Sequence, residues 1–149
     1  KVSVAELFMD LKKLFPEEYI RFEMPASDSY LYVDRAQIEQ VLINLLKNAR
    51  ETCERRADKD IEIKLLSKGN PTLTISDNGE GILPDVLDKI FVPFFTTKTS
   101  GSGIGLSLCK QIMTLHDGSI NVRSESGKGS CFILTFPMTM LDDHKISPK

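Results

Sequence analysis

The sequence predicts an α+β fold, a two-layer sandwich of helices over a sheet. Three observations predict it: stretches with apolar residues at helical spacing, two antiparallel hairpin patterns, and no strict strand–helix alternation of the kind that builds a parallel sheet. The 149 residues carry 19 Lys and Arg against 21 Asp and Glu, a formal charge of −2, which leaves no basic footprint for nucleic acid or an anionic membrane. At 41% hydrophobic and 27% charged residues, the chain fits one domain with a proper core and excludes wholesale disorder. Cys53, Cys109 and Cys131 are far apart and odd in number, which argues for a reducing compartment and against a zinc site. No apolar run approaches a membrane span, and residues 1–15 lack a signal peptide's hydrophobic block. A cytoplasmic location without membrane contact by this domain is expected.

Val4, Leu7, Phe8, Leu11, Leu14 and Phe15 predict an amphipathic first helix, with Ser3 and Glu6 as a capping box and Pro16 as the stop. Residues 19–24 alternate as a half-buried strand, residues 25–29 turn, and residues 31–33 are extended. Asp34 then caps a long helix expected to run to about Ala57, whose apolar set is Ile38, Val41, Leu42, Leu45, Leu46, Ala49 and Cys53. Residues 61–65 and 73–75 alternate around a Lys68-Gly69-Asn70-Pro71 turn, an antiparallel hairpin. Residues 76–105 are rich in Gly, Pro and Thr, with one short helix near residues 85–90. Residues 104–116 form a helix apolar round most of its circumference, so burial on more than one side is expected. Residues 119–124 and 130–136 make a second hairpin, and residues 141–149 are a polar, frayed tail to a domain of residues 1–140.

Four segments carry candidate chemistry. Asn44 and Asn48 lie one turn apart on a shoulder of the long helix, with Gln37 and Glu51. Asn is a poor helix former, so the pair either ties the helix to a neighbouring loop or serves a ligand, an amide oxygen being a hard neutral donor suited to Mg²⁺. Asp77-Asn78-Gly79-Glu80-Gly81-Ile82 follows a strand; it is either a tight turn or a carboxylate that accepts from a ligand amino group beside glycines that let a flat ring approach. Gly101-Ser102-Gly103-Ile104-Gly105-Leu106 is either a flexible Gly/Ser linker or the opening of a helix whose N–H groups suit phosphate; it is neither a P-loop nor a dinucleotide fingerprint. Between the last two, Phe91, Phe94 and Phe95 anchor a Thr-rich stretch with the build of a lid.

The order and spacing of these four segments resemble the catalytic ATP-binding domain of bacterial sensor histidine kinases, in the GHKL superfamily. Residues 40–49, 77–82, 90–98 and 101–106 look like its N box, first glycine box, F box and second glycine box, and residues 115–120 and 124–132 look like its closing segment. The resemblance runs from about residue 2 to residue 136. It implies a Bergerat-type fold, a mixed and mostly antiparallel sheet covered on one face by about three helices. It also implies ATP and Mg²⁺: Asn48 on the metal, Asn44 beside the phosphates, Asp77 on the adenine amino group, and Gly79, Gly81 and Ile82 around the base. Phe91, Thr97, Lys98, Gly101, Ser102, Gly103, Ile104, Gly105 and Leu106 would supply the lid and the phosphate-facing helix start. Ser130 stands where the family usually has Thr near the adenine.

Two departures bear on the chemistry. Glu51 occupies a position where many members carry Lys or Arg, and Arg50 projects to the opposite shoulder, which makes Lys98 the candidate replacement; Asn48 and Lys98 are then the expected catalytic pair. The Thr96-Thr97-Lys98 sequence resembles the nitrogen-regulation branch. Relatives that hydrolyse ATP or phosphorylate serine place a Glu one turn before the metal-binding Asn; here that slot is Asn44, which cannot take a proton near neutral pH. Transfer of the γ-phosphoryl to histidine is therefore favoured over hydrolysis. His116 and His144 lie outside the family's acceptor motif, so the acceptor helices are expected in another part of a longer parent, whether soluble or a membrane-bound sensor, with a response regulator downstream. A serine kinase or ATPase of the same superfamily, or a degenerate nucleotide-binding module, are the alternatives.

Overall fold

A computed structural model describes residues 1–25, 29–92 and 105–138, together with the backbone of residues 141–143. The elements run β1 (Val2–Ser3), α1 (Val4–Leu14), β2 (Ile20–Phe22), β3 (Ser29–Leu31), α2 (Arg35–Thr52), β4 (Ile61–Leu66), β5 (Thr72–Asp77), α3 (Pro84–Leu87), α4 (Gly105–Leu115), β6 (Ser119–Glu125), β7 (Gly129–Thr135) and β8 (Leu141–Asp143). Five strands form one sheet in the order β2-β4-β5-β7-β6, with β2 parallel to β4 and every other pair antiparallel. A smaller sheet, β1-β3-β8, is antiparallel. This is the expected two-layer α+β arrangement with a mixed, mostly antiparallel sheet.

Local chemistry explains the helices. The Glu6 N–H donates to Ser3 Oγ at 3.2 Å and the Gln37 N–H to Asp34 Oδ1 at 3.1 Å, so both expected caps form. Helix α2 ends at Thr52, with Cys53 as its cap, five residues before the expected end. Its last apolar residue on the core side is Cys53, and beyond it Glu54, Arg55 and Ala57 are exposed, so burial no longer offsets the cost of extending the helix. The first extended piece after the turn is Ser29–Leu31, two residues earlier than expected, because pairing with Val2 and Ser3 selects it. Leu141–Asp143, expected in the tail, pair with β3 through their backbone.

Sheet register converts sequence alternation into three rows on the face toward the helices. Leu65, Leu73, Leu134 and Ile120 form one row; Ile63, Ile75, Phe132 and Val122 form the next. Helices α1, α2 and α4 supply Leu7, Phe8, Leu11, Val41, Leu42, Leu45, Cys109 and Met113 to the same core. Burying each large apolar side chain contributes roughly 1.5–3 kcal/mol. The opposite face carries Glu62, Lys64, Ser76 and Arg123. The third row, at the far end of the helix-facing side, runs Ile61, Asp77, Ser130, Ser124 and is polar at three of its four positions.

Helix α4 corrects one expectation. Its buried face is Cys109, Ile112 and Met113, while Leu108 and Leu115 are 38% and 71% exposed. Among the described residues it packs on one side, so its apolar circumference reflects composition more than two-sided burial.

Candidate functional site

The site begins with how α2 and α4 are held. The Asp34 N–H donates to His116 Nε2 at 3.1 Å, and His116 Nδ1 donates to the Ile112 carbonyl at 2.9 Å. At the other end Asn44 Nδ2 donates to the Gly105 carbonyl at 3.4 Å and approaches Cys109 Sγ at 3.8 Å. The N-terminus of α2 therefore meets the C-terminus of α4, its middle meets the start of α4, and the two helices run antiparallel. Gln40 Nε2 donates to Asn44 Oδ1 at 2.9 Å, which turns the Asn44 amino group toward α4. Asn44 thus performs the helix-tying role, and its placement sets the first turn of α4 beside α2. His116 is buried and serves the same framework.

Asn48 lies one turn beyond Asn44, half-buried, and Thr52 one turn beyond Asn48. At Thr52 the helix reaches the loop after β5. A side chain added at Gly79 would meet Thr52 O at 2.6 Å and Thr52 Oγ1 at 2.7 Å, so only glycine permits this approach. The distance along α2 from Asn44 to Thr52 is about 12 Å at 1.5 Å per residue. One helix shoulder thus carries the start of α4 at one end, the loop after Asp77 at the other, and Asn48 midway.

The base end is built from the polar row. Asp77 is 9% exposed, and its Oδ1 accepts the Gly79 N–H at 2.8 Å. Gly81 has φ +78° and lies with its α-carbon against the Glu125 carbonyl, leaving no room for a side chain. The Gly127 N–H donates to Glu80 O at 2.7 Å, and the Ile82 N–H donates to Ser124 Oγ at 2.7 Å. The loop after Asp77 is therefore pinned between the end of α2 and the β6–β7 hairpin. Ser130, 8% exposed, is the direct cross-strand neighbour of Asp77, and the Ser124 and Ser130 hydroxyl oxygens are 3.0 Å apart.

Asn78 faces the other way: its Oδ1 accepts the Asp60 N–H at 2.9 Å and its Nδ2 donates to Asp58 O at 2.7 Å, which fixes the chain entering β4. Phe91 packs edge-on against Phe132 with ring centroids 6.5 Å apart, and the Lys110 ammonium lies 5.9 Å from its ring. It anchors the start of the Thr-rich stretch to both layers. Arg50 pairs with Glu17 at 3.2 Å and covers the Phe15 ring at 4.9 Å, on the shoulder away from Asn48, as expected. Burial raises the Cys53 thiol, with the nearby Asp77 charge adding to it, and pushes Cys109 up to about 11. Both stay protonated and inert at neutral pH.

The structure brings Asp77, Gly79, Gly81, Ile82 and Ser130 together at one end, and Asn44, Gly105 and Leu106 at the other, with Asn48 between. Thr97, Lys98, Gly101, Ser102, Gly103 and Ile104 lie outside the described residues. Sequence reasoning assigned no role to Thr52, Ser124 or Gly129, the last at φ +129° with its backbone against that of Asp77, where a side chain has no room. Among the described residues no group of three His, Cys, Asp or Glu side chains gathers to hold a metal ion. A protein-only cation cage is therefore not what these residues offer; a single neutral amide oxygen at Asn48 fits a hard cation that keeps its waters and takes ligand oxygens. No helix among them is long and apolar enough to cross a membrane.

Comparison with known proteins gives a consistent result. Residues 33–140 match the model of the histidine kinase-, DNA gyrase B- and HSP90-like ATPases. The chain is 36% identical over 122 residues to the sensor histidine kinase ZraS of Salmonella typhimurium, covering 82% of this chain and 26% of that protein. It is 41% identical over 110 residues to the signal transduction histidine-protein kinase AtoS of Escherichia coli, covering 74% of this chain and 18% of that one. The chain spans about a quarter or less of these relatives. Among solved structures, the catalytic domain of histidine kinase ThkA superposes with a TM-score of 0.78 at 33% identity, covering 91% of this chain and 93% of that one.

Proposed function

Because this chain belongs to the histidine kinase-, DNA gyrase B- and HSP90-like ATPase family, as a catalytic ATP-binding domain of the sensor histidine kinase type, we propose that it transfers the γ-phosphoryl of Mg-ATP to a histidine on separate acceptor helices of its parent protein. The observation that supports this reading best is the α2 shoulder, with Asn44, Asn48 and Thr52 at successive turns between a helix start and the Asp77 row. That spacing suits a nucleotide lying along α2, phosphates toward α4 and base toward Asp77.

In this reading Asp77 accepts from the adenine amino group, with Gly79, Gly81, Ile82 and Ser130 shaping the base pocket. The first N–H groups of α4, from Gly105 and Leu106, face the phosphates with the positive end of the helix dipole. Asn48 would hold Mg²⁺, which supplies charge neutralisation on the phosphates when bound. Lys98, with Thr97 and the glycines of residues 101–105, would complete the phosphate side from the lid, and Phe91 fixes the lid's base. Positioning and electrostatics then do most of the catalytic work, as befits phosphoryl transfer.

Asn44 decides between reactions. Its amide is engaged by Gln40 and directed at Gly105, and an amide cannot act as a general base. A neutral imidazole needs no base, whereas water or a serine hydroxyl does. A response regulator as downstream partner and a cytoplasmic setting accompany this reading. The test supplies radiolabelled Mg-ATP and a dimeric acceptor-helix fragment and looks for acid-labile phosphohistidine. Label in an acid-stable ester, or steady-state hydrolysis that disappears in Asn48→Ala, refutes it.

A further inference from the structure

Ser124, the first residue of the closing segment, is the one polar residue of the third row to which the sequence assigned no role, and its hydroxyl is fully used. The Ile82 N–H donates to its Oγ at 2.7 Å, Gly129 O lies 3.1 Å away and Ser130 Oγ 3.0 Å away. A hydroxyl has one proton and two lone pairs. The Gly129 carbonyl can only accept, so Ser124 gives its proton there. One lone pair takes the Ile82 N–H, and the other is left for the proton of Ser130. This is the only arrangement in which all three contacts are hydrogen bonds. It leaves Ser130 with its proton committed to Ser124, so that toward any other group it can only accept, and Ser130 is the direct cross-strand neighbour of Asp77.

We infer that Ser124 is a positioning residue that sets base specificity: by fixing the Ser130 proton it makes the Asp77–Ser130 edge accept hydrogen bonds only, so the pocket takes a purine with an amino group at C6 and rejects one with a carbonyl there. The inference rests on the adenine-binding reading above. A carbonyl oxygen at C6 would face two acceptors, whereas an amino group supplies two protons to them. The same hydroxyl fixes Ile82 at the rim of the pocket, so orientation and specificity are set together.

The test measures binding of Mg-ATP and Mg-ITP by titration calorimetry on the 149-residue chain and on Ser124→Ala, Ser124→Cys and Ser124→Thr. In Ser124→Ala the Ser130 hydroxyl is released to donate into the pocket. The ATP-over-ITP preference is expected to shrink about tenfold, the scale of one hydrogen bond exchanged. Ser124→Cys, nearly isosteric, gives the same direction if the alanine variant does not fold. Ser124→Thr keeps the hydroxyl and the wild-type ratio. An equal loss for both nucleotides, as a merely structural role predicts, or an unchanged ratio, overturns the inference while leaving the nucleotide reading intact. Failure of the wild type to bind either nucleotide overturns both.

Discussion

Asp34 and His116, 82 residues apart in sequence, meet at the join of α2 and α4, where the Asp34 N–H donates to His116 Nε2 at 3.1 Å. The other ring nitrogen donates to Ile112 O at 2.9 Å, so two backbone groups fix the orientation of the ring. Replacing it removes a buried ring and takes this partner from the Asp34 N–H, while the Ile112 carbonyl keeps the His116 backbone N–H. His116→Ala is expected to lose about 2–3 kcal/mol of stability, measured by urea unfolding. Phosphotransfer to supplied acceptor helices should survive under native conditions, because His116 is framework and not the phosphorylated residue. Labelling that vanishes from a folded His116→Ala protein would reverse that assignment.

Asp77→Asn separates binding from folding. The amide oxygen still accepts the Gly79 N–H, so the melting temperature should move little. The new amino group would face the adenine amine, donor against donor, and the affinity for ATP should fall about a hundredfold. A titration showing undiminished ATP binding removes Asp77 from the base pocket.

Asn48→Ala isolates the proposed metal ligand. The affinity for ATP with Mg²⁺ present should drop at least tenfold, while binding of ATP in excess chelator should change little. Equal losses in both conditions would assign Asn48 to packing and not to the cation.

Two glycines should respond in opposite ways to alanine. Gly81 combines φ +78° with backbone contact at Glu125, so Gly81→Ala should cost about 2 kcal/mol or more and weaken ATP binding. At Gly105, among the described residues, an added β-carbon meets only Asn44 Nδ2, at 4.0 Å, so Gly105→Ala should fold with equal or slightly greater stability. Paired thermal melts check both, and a neutral Gly81→Ala would contradict the pinned loop.

Cys109 gives a pH signature. Burial pushes its thiol up to about 11, against an ordinary 9, so the native state holds a proton that the unfolded chain has lost between these values. Stability from this source is full below pH 9 and declines as pH rises toward 11, by up to about 3 kcal/mol. Cys109→Ala should show a shallower loss of stability over that interval than the wild type. Parallel curves would mean the thiol contributes nothing.

Much of this architecture is legible from local pattern. Both helix caps, both hairpins and the alternation that makes the rows follow from residues near in sequence, and Asp77 is marked by the glycines after it. What escapes is what depends on distant neighbours. Thr52 looks like an ordinary helix residue until Gly79 packs on it. Ser124 looks like a solvent-facing strand residue until register sets it beside Ser130. The length of α2 was overestimated because helical periodicity does not say where burial ends, and α4 because an apolar sequence does not say how many sides will be covered. Asn44 shows a milder ambiguity: an amide beside a core stripe can tie helices or face a ligand, and the contact with Gly105 appears only once α4 is in place. Residues 93–104, which hold most of the lid motifs, are read from their Phe, Thr and Gly pattern together with the resemblance, and lie outside the described residues.

The three rows on the inner face of the five-stranded sheet make one register answer for two things. Sliding β7 by a single residue would turn Cys131 and Ile133 inward, expel Phe132 and Leu134 from the core, and put a different residue opposite Asp77. A molecule that has mispaired this strand cannot carry an intact base pocket, so competence to bind nucleotide doubles as a readout of correct assembly. In a purified preparation, the saturating stoichiometry of ATP would count the properly folded molecules.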